Sequence, residues 1–185
     1  MDLDKATDMI LITGGARSGK SRYAQELALR MSDFPVYVAT ARCWDNEFRE
    51  RIERHQQDRG RQWTSLEEEK YISKLTLQNR VVVIDCITLW LTNFFVDLKQ
   101  DVPACLEACK KEIDAWQQTS NRYIVVSNEI GMGIHAETAI GRRFTDLQGW
   151  INQYIARRAP EVILMVSGIP VCIKKNHSIV SYAGK

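Results

Sequence analysis

The chain has 185 residues, 45% hydrophobic and 26% charged, with a formal net charge of +2. That length suits one domain spanning 1–185 with a sizeable core, and the charge is too small to argue for nucleic-acid binding by bulk electrostatics. No apolar run approaches the roughly 18 residues of a membrane span, the first residues lack a signal-peptide core, and the five cysteines, none in a CxxC pair, read as reduced thiols of a cytoplasmic protein.

Short apolar runs alternate with longer amphipathic stretches. Met9–Thr13 reads as a strand and leads into a glycine-rich turn; Lys20–Met31 reads as a helix. Val36–Ala39 is a short strand after Pro35, and Asp45–Arg59 carries charge at helical spacing. Val81–Asp85, rich in β-branched residues, reads as a buried strand. Ile87–Val96 and Pro103–Gln118 read as helices, the second with its proline in the first turn, where a missing N–H costs little. Tyr123–Ser127 is a strand, Thr138–Arg158 a long helix with Gly149 as a point of interruption, and Val162–Val166 the last strand. The tail 176–185 shows little pattern. Trp90, Leu91, Phe94 and Phe95 mark a helix's core face, and Trp116 and Trp150 read as core or interface. Apolar strands alternating with helices predict a three-layer α/β fold, a mainly parallel sheet covered by helices on both faces.

Gly14, Gly15, Ala16, Arg17, Ser18, Gly19, Lys20 and Ser21 satisfy G-x-x-x-x-G-K-[ST] at every fixed position. The chemistry requires those types. Glycines let the backbone curl so that successive N–H groups face phosphate oxygens. Lys20 reaches the β- and γ-phosphates, and the Ser21 hydroxyl is placed to ligate Mg²⁺. The helix that opens here adds its positive end to the anion site. Asp85, closing a buried strand, stands where P-loop folds place an acid that helps hold the magnesium. No N-K-x-D base-recognition motif occurs, and the D-x-x-G match at Asp146–Gly149 falls inside a predicted helix. A small-molecule kinase fits the size and leaves the acceptor open; a non-catalytic nucleotide-binding module is the other reading.

His55 lies four residues after Arg51 and four before Arg59, so the three share a helix face. Flanking cations gather phosphate oxygens and keep the imidazole neutral and nucleophilic. On spacing alone, an exposed helix histidine among salt bridges is the favoured reading.

The segments TGGARSGKSRYAQ, YVATAR, RIERHQQDRGRQW, IDCITLWLTN, VSNEIGMGI, RRFTDLQGWINQ and VSGIP, spread over nearly the whole chain, resemble the bifunctional adenosylcobinamide kinase / adenosylcobinamide-phosphate guanylyltransferase family of cobalamin biosynthesis. The resemblance implies two reactions. The γ-phosphate of ATP or GTP passes to the aminopropanol hydroxyl of adenosylcobinamide, a corrinoid. GTP then guanylylates a histidine, and the GMP moves on to give adenosylcobinamide-GDP. By the R-I-x-x-H pattern the guanylylated residue falls on His55. The family's nucleotide contacts fall on Gly14–Ser21, on Thr40, Ala41 and Arg42, on Gln57, Asp58, Arg59 and Gly60, and on Glu67 and Asp85. A homotrimer is implied as well. One departure is His135-Ala136, where members often carry Val-Pro. Because one step acts on the γ-phosphorus and the other on the α-phosphorus, the segment bearing His55 is expected to rearrange when GTP binds.

Overall fold

The computed structural model describes residues 9–42 and 60–181. The expected helix at Asp45–Arg59 lies outside them, with His55, Gln57, Asp58 and Arg59. Eight strands form one sheet: β1 (Met9–Gly14), β2 (Val36–Ala39), β3 (Thr64–Glu67), β4 (Val81–Asp85), β5 (Arg122–Val126), β6 (Glu161–Val166), β7 (Ile169–Lys175) and β8 (Ser178–Ile179). Their order is β3-β2-β4-β5-β1-β6-β7-β8. The first six run parallel, while β7 and β8 are antiparallel additions at one edge. Four described helices cover it: α1 (Lys20–Met31), α2 (Ile87–Asp97), α3 (Val102–Trp116) and α4 (Ala139–Arg158).

Period-two alternation divides the strand side chains between two cores. Met9 and Leu11 of β1, Val82 and Ile84 of β4, and Tyr123 and Val125 of β5 face α2, α3 and α4. Ile10, Ile12, Val83, Ile124 and Val126 face the other way, onto Ala24 and Ala28 of α1. The small alanines let α1 lie close to the sheet, which brings its N-terminus to the strand ends. On the opposite face Trp90 and Trp116 are fully buried with ring centroids 5.4 Å apart. Their indole N–H groups donate to the Lys70 carbonyl and to the Glu112 carboxylate, each at 2.9 Å, so neither aromatic leaves a polar atom stranded. Cys105 and Cys109 are fully buried and free, and act as packing residues.

Several expectations change in detail. Strand β3 is mostly exposed and polar, so no apolar run announces it. Strands β7 and β8 were also absent from the sequence reading. Two hairpins make them, turning at Ser167-Gly168 and at Asn176-His177, all four residues with positive φ, the signature of two-residue primed turns. The beginning of the tail is therefore sheet. Helix α4 runs unbroken through Gly149, capped by the Thr138 hydroxyl, which accepts from the Gly141 amide at 3.0 Å. Trp150 is 46% exposed, which removes it from the core.

Candidate nucleotide site

All parallel strands end on one edge, and β1 there sits between β5 and β6, while the chain continues from it to β2 on the far side of β5 and β4. Ligands bind at such reversals of strand order, outside the carboxyl ends of the strands. The loop between β1 and α1 fills this place. Gly14 has φ +148°, and a Cβ there would lie 2.5 Å from the Met165 carbonyl oxygen, so only glycine fits. Gly19, at φ +91°, caps α1 without a side chain and leaves the helix's first amides facing the cavity. An open cavity of about 270 Å³ is lined by residues 17–22.

Inside the loop, Lys20 donates through Nζ to the Gly15 carbonyl at 2.6 Å. Its side chain is largely buried. Burial lowers its pKa, opposed by the neighbouring Cys86, Asp85 and Glu129. The Ser18 hydroxyl is buried and makes no hydrogen bond. An anion fits both facts, since phosphate oxygens would return to the ammonium and the hydroxyl the partners that burial removed. Gly168 in the β6–β7 turn donates its N–H to the Ser18 carbonyl at 3.0 Å, bracing the loop from outside.

Asp85 closes β4 and accepts from the Tyr37 hydroxyl at 2.9 Å. A Ser21 hydroxyl and an Asp85 carboxylate are hard oxygen donors, the kind Mg²⁺ takes when it keeps most of its waters and the substrate's phosphates. Among the described residues no group of three or more His, Cys, Asp or Glu could hold a metal ion. Cys86 beside Asp85 is buried, and burial pushes its thiol up to about 11. It is an inert neighbour rather than a nucleophile.

Of the remaining described residues named from sequence, Thr40, Ala41, Arg42 and Glu67 lie along the same edge, whereas Gly60 precedes β3, at the opposite, amino end of the parallel strands. Ala39 pairs with Asp85 on one side and Glu67 on the other, so Ala39, Asp85 and Glu67 end three adjacent strands and Thr40 follows directly. The Thr40 hydroxyl donates to the Cys86 carbonyl at 2.8 Å, which gives that side chain a structural duty. Ala41 follows, half-buried. The Arg42 guanidinium is held by Glu69 at 2.7 Å and Asp97 at 2.8 Å, and those bonds raise its pKa and lower that of Asp97. Gly60 opens the second described stretch and accepts from the Trp63 amide at 3.1 Å. His55, Gln57, Asp58 and Arg59 lie outside the described residues.

Sequence reasoning gave no role to Glu129. Its amide donates to the Gly14 carbonyl at 3.1 Å. Its carboxylate is held by the Thr13 hydroxyl and, at 3.1 Å, by Asn152 of α4. The sequence offers only an acid close behind an apolar strand, as with Asp85; its partners Thr13 and Asn152 come from elsewhere in the fold. Tyr37 and Gly168 were missed because each reaches the site through a tertiary contact that no local pattern encodes.

The loop, its strand and helix, and the acid on a strand one removed from β1 define a P-loop nucleotide-binding protein. A family model described as "Cobinamide kinase / cobinamide phosphate guanyltransferase" matches residues 10–173. The chain belongs to that family, and it is a transferase by class. It is 39% identical over 181 residues to the bifunctional adenosylcobalamin biosynthesis protein CobU of Escherichia coli, covering 90% of this chain and 99% of that one. It is 38% identical over 170 residues to the bifunctional adenosylcobalamin biosynthesis protein CobP of Pseudomonas aeruginosa, covering 89% and 96%. Among solved structures, the flagellar accessory protein FlaH of Methanocaldococcus jannaschii aligns over 95% of this chain and 81% of that one, with 15% identity and a TM-score of 0.44.

Proposed function

We propose that this chain phosphorylates the aminopropanol hydroxyl of adenosylcobinamide with ATP or GTP and then transfers GMP from GTP, through His55, to give adenosylcobinamide-GDP and pyrophosphate. The observation that carries the reading is the loop itself: a buried lysine ammonium and an unpartnered buried serine hydroxyl at a helix N-terminus, in a chain of this family. The loop amides and Lys20 stabilise charge that develops on the phosphates in both steps. Ser21 and Asp85 are the residues that would hold Mg²⁺, which when bound supplies further charge neutralisation on those oxygens. His55 attacks the α-phosphorus of GTP; a P–N bond forms, the bond to the bridging oxygen breaks, and pyrophosphate departs from the loop. Arg59 steadies the GMP. The remaining contacts to the nucleotide come from Thr40–Arg42, Gln57–Gly60 and Glu67, with Arg42 leaving Glu69 and Asp97 to reach the phosphates.

The reaction belongs to the cytoplasm, where both nucleotides are supplied. The exposed side chains of Met132, Ile134 and Trp150 are consistent with assembly into a homotrimer; no helix of the described residues is long and apolar enough to cross a membrane. The test is conversion of adenosylcobinamide to its GDP derivative in two resolved steps. Lys20→Ala abolishes both, whereas His55→Ala blocks GMP transfer and leaves phosphorylation. Nucleotide binding with neither turnover would return the chain to a binding module, and phosphorylation of a different hydroxylated metabolite would keep the kinase while replacing its acceptor.

A further inference from the structure

We propose that Glu129 is the catalytic base of the phosphorylation step, the group that receives the proton of the acceptor hydroxyl. The assignment rests on the kinase reading above. Three observations carry it, beginning with place. Glu129 follows β5, the strand between β4 and β1, and its amide is bonded to the first loop glycine. Its charge reaches Lys20, as that of Asp85 does. The site is thus flanked by two carboxylates from different strands.

The second is how it is fixed. The Thr13 hydroxyl and the Asn152 amide both bond to the same oxygen, Oε1. Thr13 and Asn152 are themselves buried. Asn152 is locked in turn by the Ser127 hydroxyl at 2.6 Å and the Gln148 amide at 3.0 Å, while its own amide also reaches the Asn128 carbonyl at 3.0 Å. A buried polar lattice from α4 and β1 therefore holds one half of this carboxylate rigidly. Among the described residues Oε2 accepts no hydrogen bond. That oxygen is the half left for a ligand.

The third is electrostatic. A carboxylate beside a triphosphate repels it, and a fold that spends a buried network on aiming one there needs a compensating contact. Asp85 has one in the metal it would hold. Glu129 has one if an alcohol sits between it and the γ-phosphate. The hydroxyl then donates to Oε2. As its oxygen bonds to the γ-phosphorus, the bond to the bridging oxygen breaks, the electron pair leaves on the nucleoside diphosphate, and the proton passes to Glu129 and on to water. Guanylylation needs no such service, because a neutral imidazole attacks through a lone pair.

Glu129→Gln keeps an oxygen that Thr13 and Asn152 can bond and removes the basicity. With adenosylcobinamide and ATP or GTP, kcat for phosphorylation falls about 100-fold, the scale of a lost general base. KM for adenosylcobinamide stays near wild type, and so does the rate at which GTP places GMP on His55. Thr13→Val, which leaves the acid in place but frees it to turn, gives a smaller loss in kcat at unchanged KM. Unchanged kcat in Glu129→Gln overturns the proposal, as does an equal loss of phosphorylation and of the GMP adduct, which would assign Glu129 to holding the loop. If the wild type forms the adduct yet phosphorylates no adenosylcobinamide, the kinase reading fails and this assignment falls with it.

Discussion

The amide of Gly168 donates to the carbonyl of Ser18 at 3.0 Å, joining the turn between the last parallel strand and its antiparallel neighbour to the middle of the phosphate loop. The turn needs positive φ at Ser167 and Gly168, +50° and +84°. A β-branched residue at Gly168 is strained by about 1–3 kcal/mol. Gly168→Val therefore pulls the turn off the loop and weakens GTP binding several-fold, about 1 kcal/mol of affinity. Titration of GTP against both proteins checks this; equal affinities would show that the loop keeps its shape unaided.

Gly14 is the less forgiving position. A Cβ placed there meets the Met165 backbone oxygen at 2.5 Å, and neither strand has room to move in the sheet interior. Gly14→Ala is expected to cost about 2 kcal/mol or more in stability, on the scale of overpacked cores, and to abolish nucleotide binding. Chemical denaturation together with GTP titration separates the two effects.

Tyr37 donates its hydroxyl to Asp85 at 2.9 Å. Tyr37→Phe keeps the ring and its edge-on packing against Trp63. Loss of a hydrogen bond to a metal-holding carboxylate typically costs about 10-fold or more in metal affinity. The Mg²⁺ concentration needed for half-maximal GTP affinity should rise by that factor, with no change in affinity measured without Mg²⁺. An unchanged Mg²⁺ requirement would remove Asp85, or its orientation by Tyr37, from the metal's coordination.

Three buried thiols set an alkaline limit. Burial raises Cys86 and Cys105 to about 11 from 9.0, and Cys109 higher still. The folded state therefore holds protons that the unfolded chain has already released. The stability these thiols contribute is whole below pH 9 and drains as pH climbs toward 11, by up to about 1.4 kcal/mol per pH unit for each thiol. Urea midpoints from pH 8 to 10.5 should fall, and fall less in Cys109→Ala relative to its own value at pH 8. Parallel curves for the two proteins would deny Cys109 this role.

The parallel half of the sheet and its helices were legible because each rests on a local regularity: VVVID and VILMV are apolar runs, and the loop is bracketed by a strand and a helix. Thr64–Glu67 was not, since it is exposed and its partner β2 supplies its regularity. The hairpins at Ser167-Gly168 and Asn176-His177 were written as turn pairs but flank strands of mixed, largely exposed residues, the last only two residues long. At the site, Gly14 to Ser21 and Asp85 came from spacing and strand context. Glu129 required the fold, because its partners Thr13 and Asn152 are distant in sequence and meet only when α4 packs across β1 and β5.

The central claim, that this P-loop protein passes GMP through His55, is tested most directly by mass. Purified protein is incubated with GTP and Mg²⁺, its intact mass is taken, and any adduct is mapped by peptide beside His55→Ala. An acid-labile GMP on the His55 peptide, absent from the variant, is the predicted result. GTP binding with no adduct, or an adduct that persists in His55→Ala, would contradict it.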